Sequence, residues 1–265
     1  MSTTHTDEAI ESNDTARRGD GLETYPWHDE LDEVLHLTDT IEMLEAGEYY
    51  DVLKNHLVAG NAKIADHVLI YNITSATDCR HLGDEMCQVP AEACYAHKSE
   101  QKWTNPLSFR RRQELIWDRL DAETFADTLL EIIENKRNPV STVRINQSGE
   151  LRHQGDLEQL DHLSRRLHEE GFDCYVYTTS ADLDWSITSD DALAVNMSNQ
   201  RFDEATTERF SYYTALEDGV EPEDVEWLDD DARQCPYDAH DGAIKCGNCK
   251  LCVENNDTDV YIRMH

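Results

Sequence analysis

Seven of the eight cysteines fall into two groups that suit metal chemistry. Cys235, Cys246, Cys249 and Cys252 form the run Cys-x10-Cys-x2-Cys-x2-Cys, with Gly247 relaxing the backbone among them. Four thiols so close in sequence have few uses other than holding a metal, and both zinc and iron–sulfur clusters accept four thiolates. The plain reading of this set is a structural knuckle that staples the end of the chain. Cys79, Cys87 and Cys94 lie far upstream at wider spacing. Three thiolates would leave a bound metal with an open position, which separates a reactive site from a structural one. The bland alternative is three separately buried cysteines.

A third constellation is polar. Arg144-Ile-Asn-Gln-Ser148-Gly149-Glu150 leaves the end of an expected strand through a glycine, which lets the backbone approach a ligand. Ser148 and Glu150 are therefore candidate catalytic groups, with an ordinary strand-to-helix turn as the alternative. Thr178 ends the next expected strand and Asn196 lies in a third, so several strands deliver polar groups to one rim. Cys174 sits inside a strand and reads as a small buried hydrophobe. His81, His97 and His153 are near enough in sequence to serve as ligands or acids, though a solvent-facing role suits each better. Arg110-Arg-Arg112 reads as a helix face paired with neighbouring acids.

The elements that must position these groups follow from periodicity. Residues 1–26 carry no apolar pattern and are expected to be a disordered acidic leader. Residues 27–59 show helical spacing in two or more short pieces. Residues 60–216 alternate strands, near His67–Ile73, Thr142–Asn146, Cys174–Thr178 and Ala192–Met197, with helices within Pro106–Asn135 and over Asp156–Glu170. One more helix is expected over Asp203–Leu216. This alternation predicts an α/β fold with right-handed crossovers, either a partial (β/α) barrel or a mostly parallel sheet with flanking helices. Residues 217–265 are expected to be an acidic connector and a C-terminal Cys-rich metal-binding segment.

Composition bounds the rest. The 265 residues hold 56 Asp and Glu against 23 Lys and Arg, a formal net charge of -33 spread over the whole length. Such a surface matches that of a halophile, where dense carboxylates keep a folded protein soluble in high salt. Nucleic-acid binding through a broad basic face is disfavoured. No apolar run approaches the roughly 20 residues needed to span a bilayer, and no secretory pattern opens the chain. A cytoplasmic protein without membrane contact is expected, in which cysteines read as metal ligands before disulfides.

With these residues assembled, two likenesses emerge. Gly60-Asn61-x-Lys63, Cys94-Tyr95-Ala96, Asn146-Gln-Ser148-Gly149-Glu150, Tyr177-Thr178, Cys235-Pro236 and Cys246-Gly247-x-Cys249-x-x-Cys252 together resemble the phage "gene product 88" family, in a haloarchaeal or haloarchaeal-virus form. Its members occur in viruses and mobile elements. The likeness spans Gly60 to His265. That family commonly carries a His-Asp-Ser-Gly-Asp type motif where this chain has Asn146-Gln147-Ser148-Gly149-Glu150. More distantly, the order of Cys79, Cys87, Cys94 with Tyr95, then Gly149-Glu150, is similar to that in radical S-adenosylmethionine enzymes. This likeness implies a [4Fe-4S] cluster on the three cysteines and S-adenosylmethionine as a further cofactor. Tyr95, Gly149, Glu150, Thr178 and Asn196 would lie around it, with Glu150 pairing the amino group. The late cysteines would hold a second cluster or zinc. The substrate would be a small molecule or a macromolecule of unknown kind. The alternative is a non-catalytic, zinc-stabilised protein that acts through nucleic-acid or protein contacts.

Overall fold

The computed structural model describes residues 31–84, 86–87, 89–198, 211–216, 219–225, 228, 230–254 and 258–263. The expected leader lies outside them. Two helices open the described chain, α1 (Leu31–Glu45) and α2 (Tyr49–Asn55), followed by a short strand β1 (Val58–Ala59). Then come β2 (Val68–Tyr71), α3 (Tyr95–Lys102), α4 (Thr104–Arg119), α5 (Ala122–Glu134), β3 (Thr142–Ile145), α6 (Gln154–Glu169), β4 (Asp173–Thr178) and β5 (Ala194–Ser198). The C-terminal part supplies β6 (Ser211–Leu216), β7 (Arg233–Gln234), α7 (Pro236–Ala239) and β8 (Val260–Arg263).

The helices start and stop for local reasons. Asp121 caps α5 by accepting the Thr124 N–H at 2.9 Å, and Asn135 closes it ahead of Pro139. His153 caps α6 through a bond from the Asp156 N–H, and the helix ends just before Gly171. Phe125, Leu129, Ile132 and Ile133 recur at helical spacing on α5 and all are buried. Burying each contributes about 1.5–3 kcal/mol.

The strands form one eight-stranded sheet in the order β1-β2-β3-β4-β5-β6-β8-β7. β1 is antiparallel to β2, and every other neighbour pair is parallel. From β2 to β6 the spatial order follows the chain order. Right-handed crossovers between strands laid down in sequence place their helices on a single face. The packing agrees: Leu69, Tyr71, Val143, Ile145, Cys174, Val176, Val195 and Met197 join residues of α1, α2, α4, α5 and α6 in the main core. The other face carries Val68, Ile70, Tyr175 and Ala194 and is covered by Ile64, Cys246 and Val253.

One expectation is corrected. Ser211–Leu216 was expected to end a helix; it is a strand, pairing with β5 through Asn196 to Ser211 and with β8 through Tyr213 to Val260. Its Ser-Tyr-Tyr-Thr run has the β-branched and aromatic character that suits a pleated surface; residues 201–210 lie outside the described set. The segment after residue 216 also supplies strands. β8 inserts between β6 and β7, so the last strands complete the same sheet that β2 begins.

Candidate functional site

The loop after β2 is held by groups that do not look like a site in sequence. Glu100, buried on α3, accepts the Ala76 N–H at 2.8 Å and the Thr77 N–H at 2.7 Å, and pairs with Arg110. Arg111 on α4 pairs with Asp78 at 2.9 Å, and Ser75 bonds the same carboxylate at 2.6 Å. The expectation that Arg110 and Arg111 meet acids therefore holds, and the acids they meet position the residues just before Cys79. Further along, Asp84 receives the Met86 and Cys87 N–H groups at 2.8 and 3.2 Å and holds His81 at 2.8 Å. His81 in turn takes a bond from Arg80, which also reaches the Arg152 carbonyl at 2.8 Å. His81 is buried within this chain of contacts, contrary to the solvent-facing role expected of it. Cys94 is the N-cap residue of α3. The backbone around each cysteine of the trio is thus tied to a structured element.

The trio is linked electrostatically. Burial pushes the Cys79 thiol far up, and the charges of Glu150, Cys87 and Cys94 push in the same direction, while the His81 N–H favours the thiolate. Cys87 is raised by burial against a bond from the Val89 N–H, with Cys94 and Glu150 again adding. The three sulfurs and the Glu150 carboxylate are therefore within electrostatic reach of one another. Unliganded, Cys79 and Cys87 are neutral; a metal would have to displace their protons. Among the described residues no three His, Cys, Asp or Glu side chains are gathered tightly enough to hold an ion. The donor chemistry does fit one: soft sulfurs, with backbone N–H groups aimed at two of them, as thiolates bound to metal accept.

The loop after β3 is zipped to the loop after β2. Asn72 accepts the Gln147 and Ser148 N–H groups at 2.9 and 3.0 Å, and Asn146 accepts the Ile73 N–H at 3.0 Å. Thr74 accepts the Glu150 N–H at 2.9 Å. Gly149 has φ +73, and a Cβ there would lie 2.2 Å from the Thr74 oxygen. The room that this glycine makes is filled by Thr74, not by a ligand. Ser148, the other catalytic candidate, is buried with its hydroxyl 3.4 Å from Glu100. Glu150 accepts from the Thr178 hydroxyl at 2.6 Å, from the Leu151 N–H at 2.8 Å, and from the N–H and hydroxyl of Thr179 at 2.6 and 3.1 Å. A carboxylate has about four acceptor positions, so these donors satisfy it. Glu150 joins the carboxyl ends of β3 and β4 beside the thiols and does not stand free for a ligand's amino group. Thr178 is its partner in that task.

Tyr95 follows Cys94 and is 62% exposed at the mouth of this region, its hydroxyl donating to the Gln147 carbonyl. Trp103, at the far end of α3, is 59% exposed.

The four late cysteines sit on the face opposite the helices. Cys246 bridges to Ile64, with the Ala65 N–H donating to its carbonyl at 3.0 Å and its own N–H to Lys63 at 2.9 Å. Gly247 has φ +91, and a Cβ would fall 2.6 Å from Val68, so this glycine permits the segment to lie against β2. Asn196 donates to the Cys252 carbonyl at 2.9 Å. Its side chain therefore pins the cysteine segment to β5. Burial pushes the Cys252 thiol up to about 12, against a hydrogen bond from Tyr177 and with Cys246, Cys235 and Cys249 adding. The other three late cysteines thus act electrostatically on Cys252, but among the described residues no three of these side chains are gathered tightly enough to hold an ion.

One residue on this face was missed as a site. Ile70, Arg144, Tyr175 and Ala194 stand side by side across four strands. Arg144 is the one charge in that rung, its guanidinium 4.6 Å from the Tyr177 ring centre and 5.9 Å from that of Tyr175. The signal was available: a strand of a parallel sheet should read apolar on both faces, and Thr142-Val-Arg-Ile does not.

No family model, no curated protein and no solved structure matches this chain.

Proposed function

We propose that the chain is a metal-binding, iron–sulfur protein of viral or mobile-element type, and a radical S-adenosylmethionine-like enzyme built as a partial (β/α) barrel. The observation that carries this reading is positional. Cys79, Cys87 and Cys94 all fall between the first parallel strand and the helix that follows it, in a sheet whose strands β2 to β6 run in chain order, and Cys87 and Cys94 are within electrostatic reach of Cys79. Ligands of open α/β sheets bind outside the carboxyl ends of the strands. A [4Fe-4S] cluster on the trio would supply one-electron chemistry, with three thiolates leaving one iron open to S-adenosylmethionine.

The chain's own residues divide the remaining work. Glu100, Asp78 and Asp84 fix the loop that carries the trio. Asn72, Thr74 and Glu150 lock the next two loops against it. Tyr95 lines the open side. The four late cysteines hold zinc or a second cluster and fasten the C-terminal segment across the sheet.

The second reading, a zinc-stabilised protein acting through nucleic-acid or protein contacts, is supported by that fastening. Asn196, Gly247 and Val253 all serve to seat the segment. Metal and acid-labile sulfide content, measured with a visible spectrum on protein purified without oxygen in high salt, separates the two. Iron and sulfide near four or eight per chain support the enzyme. Zinc alone, at about one or two per chain, favours the interaction protein. In the first case Cys94→Ala removes the brown absorbance and leaves the fold intact.

A further inference from the structure

We propose that Arg144 is an oxyanion-binding residue, placed to take a carboxylate or phosphate group of a ligand on the sheet face between the two cysteine sets. The chain has 56 acids, and Arg110, Arg111 and Arg152 each meet a carboxylate. Among the described residues Arg144 meets none, and its buried Nε has no hydrogen-bond partner. Leaving a buried donor unmade costs free energy, so the unpartnered Nε, in a rung where the buried Tyr175 hydroxyl also lacks a hydrogen bond, calls for a function. The guanidinium carbon lies 4.6 Å from the Tyr177 ring centre, a cation–π contact that holds the group in place. A guanidinium held in place, with its Nε edge unused, is prepared for two parallel bonds to an oxyanion. Asn146, two residues on, also carries a buried side-chain nitrogen with no partner. The end of β3 thus has two unused donors.

The position links both sites. Tyr95, beside Cys94, and Cys246 both lie within electrostatic reach of Arg144. The proposal deepens the reading above by naming the ligand's chemistry, and it rests on that reading only for the link to catalysis. The rival role is purely electrostatic: Arg144 could serve as counter-charge to the late thiolates.

The test uses the full, metal-loaded chain in KCl, with phosphate or acetate titrated at constant ionic strength. Either anion should raise the melting midpoint saturably, by about 2–4 °C, and phosphate should protect Arg144 from phenylglyoxal in a mass-spectrometric map. A rise with acetate alone assigns a carboxylate ligand, and a rise with phosphate alone a phosphoryl group. Arg144→Gln should abolish the rise with metal content unchanged. Arg144→Lys, which keeps the charge and loses the planar fork, should also retain metal and lose most of the rise. The proposal is overturned if neither anion shifts nor protects the wild type, or if the shift survives in Arg144→Gln. It is equally overturned if Arg144→Gln loses metal from the late cysteines while Arg144→Lys retains both the metal and the full shift, which is the counter-charge result. Metal analysis of the wild type is read separately, so absence of iron would remove the enzyme reading without touching the anion site.

Discussion

Gly149 and Glu150 show how adjacent residues can look like ligand contacts and yet serve the scaffold. The glycine's positive φ and its approach to Thr74 leave no room for a side chain. Gly149→Ala should therefore destabilise the protein by about 1–3 kcal/mol, read from denaturant midpoints; a neutral result would mean that Thr74 moves aside freely. Glu150 binds the donors of two loops with one carboxylate, its own carboxyl raised by burial against the pull of Thr178, Thr179 and Leu151. Arg152, close by in sequence, is deeply buried among Glu114, Asp118 and Asp156. Arg152→Met would leave three carboxylates without their cation. A loss of about 3–5 kcal/mol is expected, and a loss under 1 kcal/mol would show that solvent already reaches them.

At the scale of elements, α2 is fastened to α4 through one histidine. His56 Nδ1 donates to the Val52 carbonyl at 2.7 Å, while Nε2 accepts from Arg112 at 3.1 Å. Gln113 adds a bond to the His56 carbonyl at 2.7 Å. Burial lowers the imidazole's pKa, against the pull of the Val52 bond and with help from Arg112. The unfolded chain therefore takes up this proton at higher pH than the folded one. The stability linked to His56 is full above about pH 6.5 and is lost as pH falls from there through the lower folded value. Comparing urea midpoints of wild type and His56→Gln at pH 8 and pH 5.5 checks this: the variant should lose part of the acid-side decline. An unchanged decline would place it in other groups.

For the whole molecule, the C-terminal segment is the second wall of the sheet. Deleting residues 245–265 removes β8 and uncovers Ile64, Val68, Ile70 and Tyr175. The truncated chain should bind hydrophobic dyes and aggregate, whereas Cys249→Ser should fold with a lowered melting midpoint and less bound metal. A soluble, cooperatively melting truncation would contradict this role. The net charge of -33 makes self-repulsion large at low salt, so the melting midpoint should climb as KCl rises into the molar range. No helix among the described residues is long and apolar enough to cross a membrane.

Local pattern was enough to read α5, α6 and the strands β2 to β5, because each carries its own apolar period and its own stop signals, such as Pro139 and Gly171. The two cysteine groups were equally legible, since ligand spacing is a local property. Contacts between distant parts of the chain were not. Glu100 reaches Ala76 and Thr77, Asn72 reaches Gln147 and Ser148, and Asn196 reaches Cys252, across separations that no window of sequence spans. β8 shows only a short Val-Tyr-Ile run, and its place between β6 and β7 depends on hydrogen bonds offered by strands far upstream. Residue types and periodicity marked most of the helices and strands, though not β6, and grouped the cysteines. Tertiary structure alone decided that Glu150 is already satisfied, that Gly149 and Gly247 exist for close packing, and that the Arg144 Nε is left without a hydrogen-bond partner, because donors, acceptors and free space are assigned only when the chain has closed on itself.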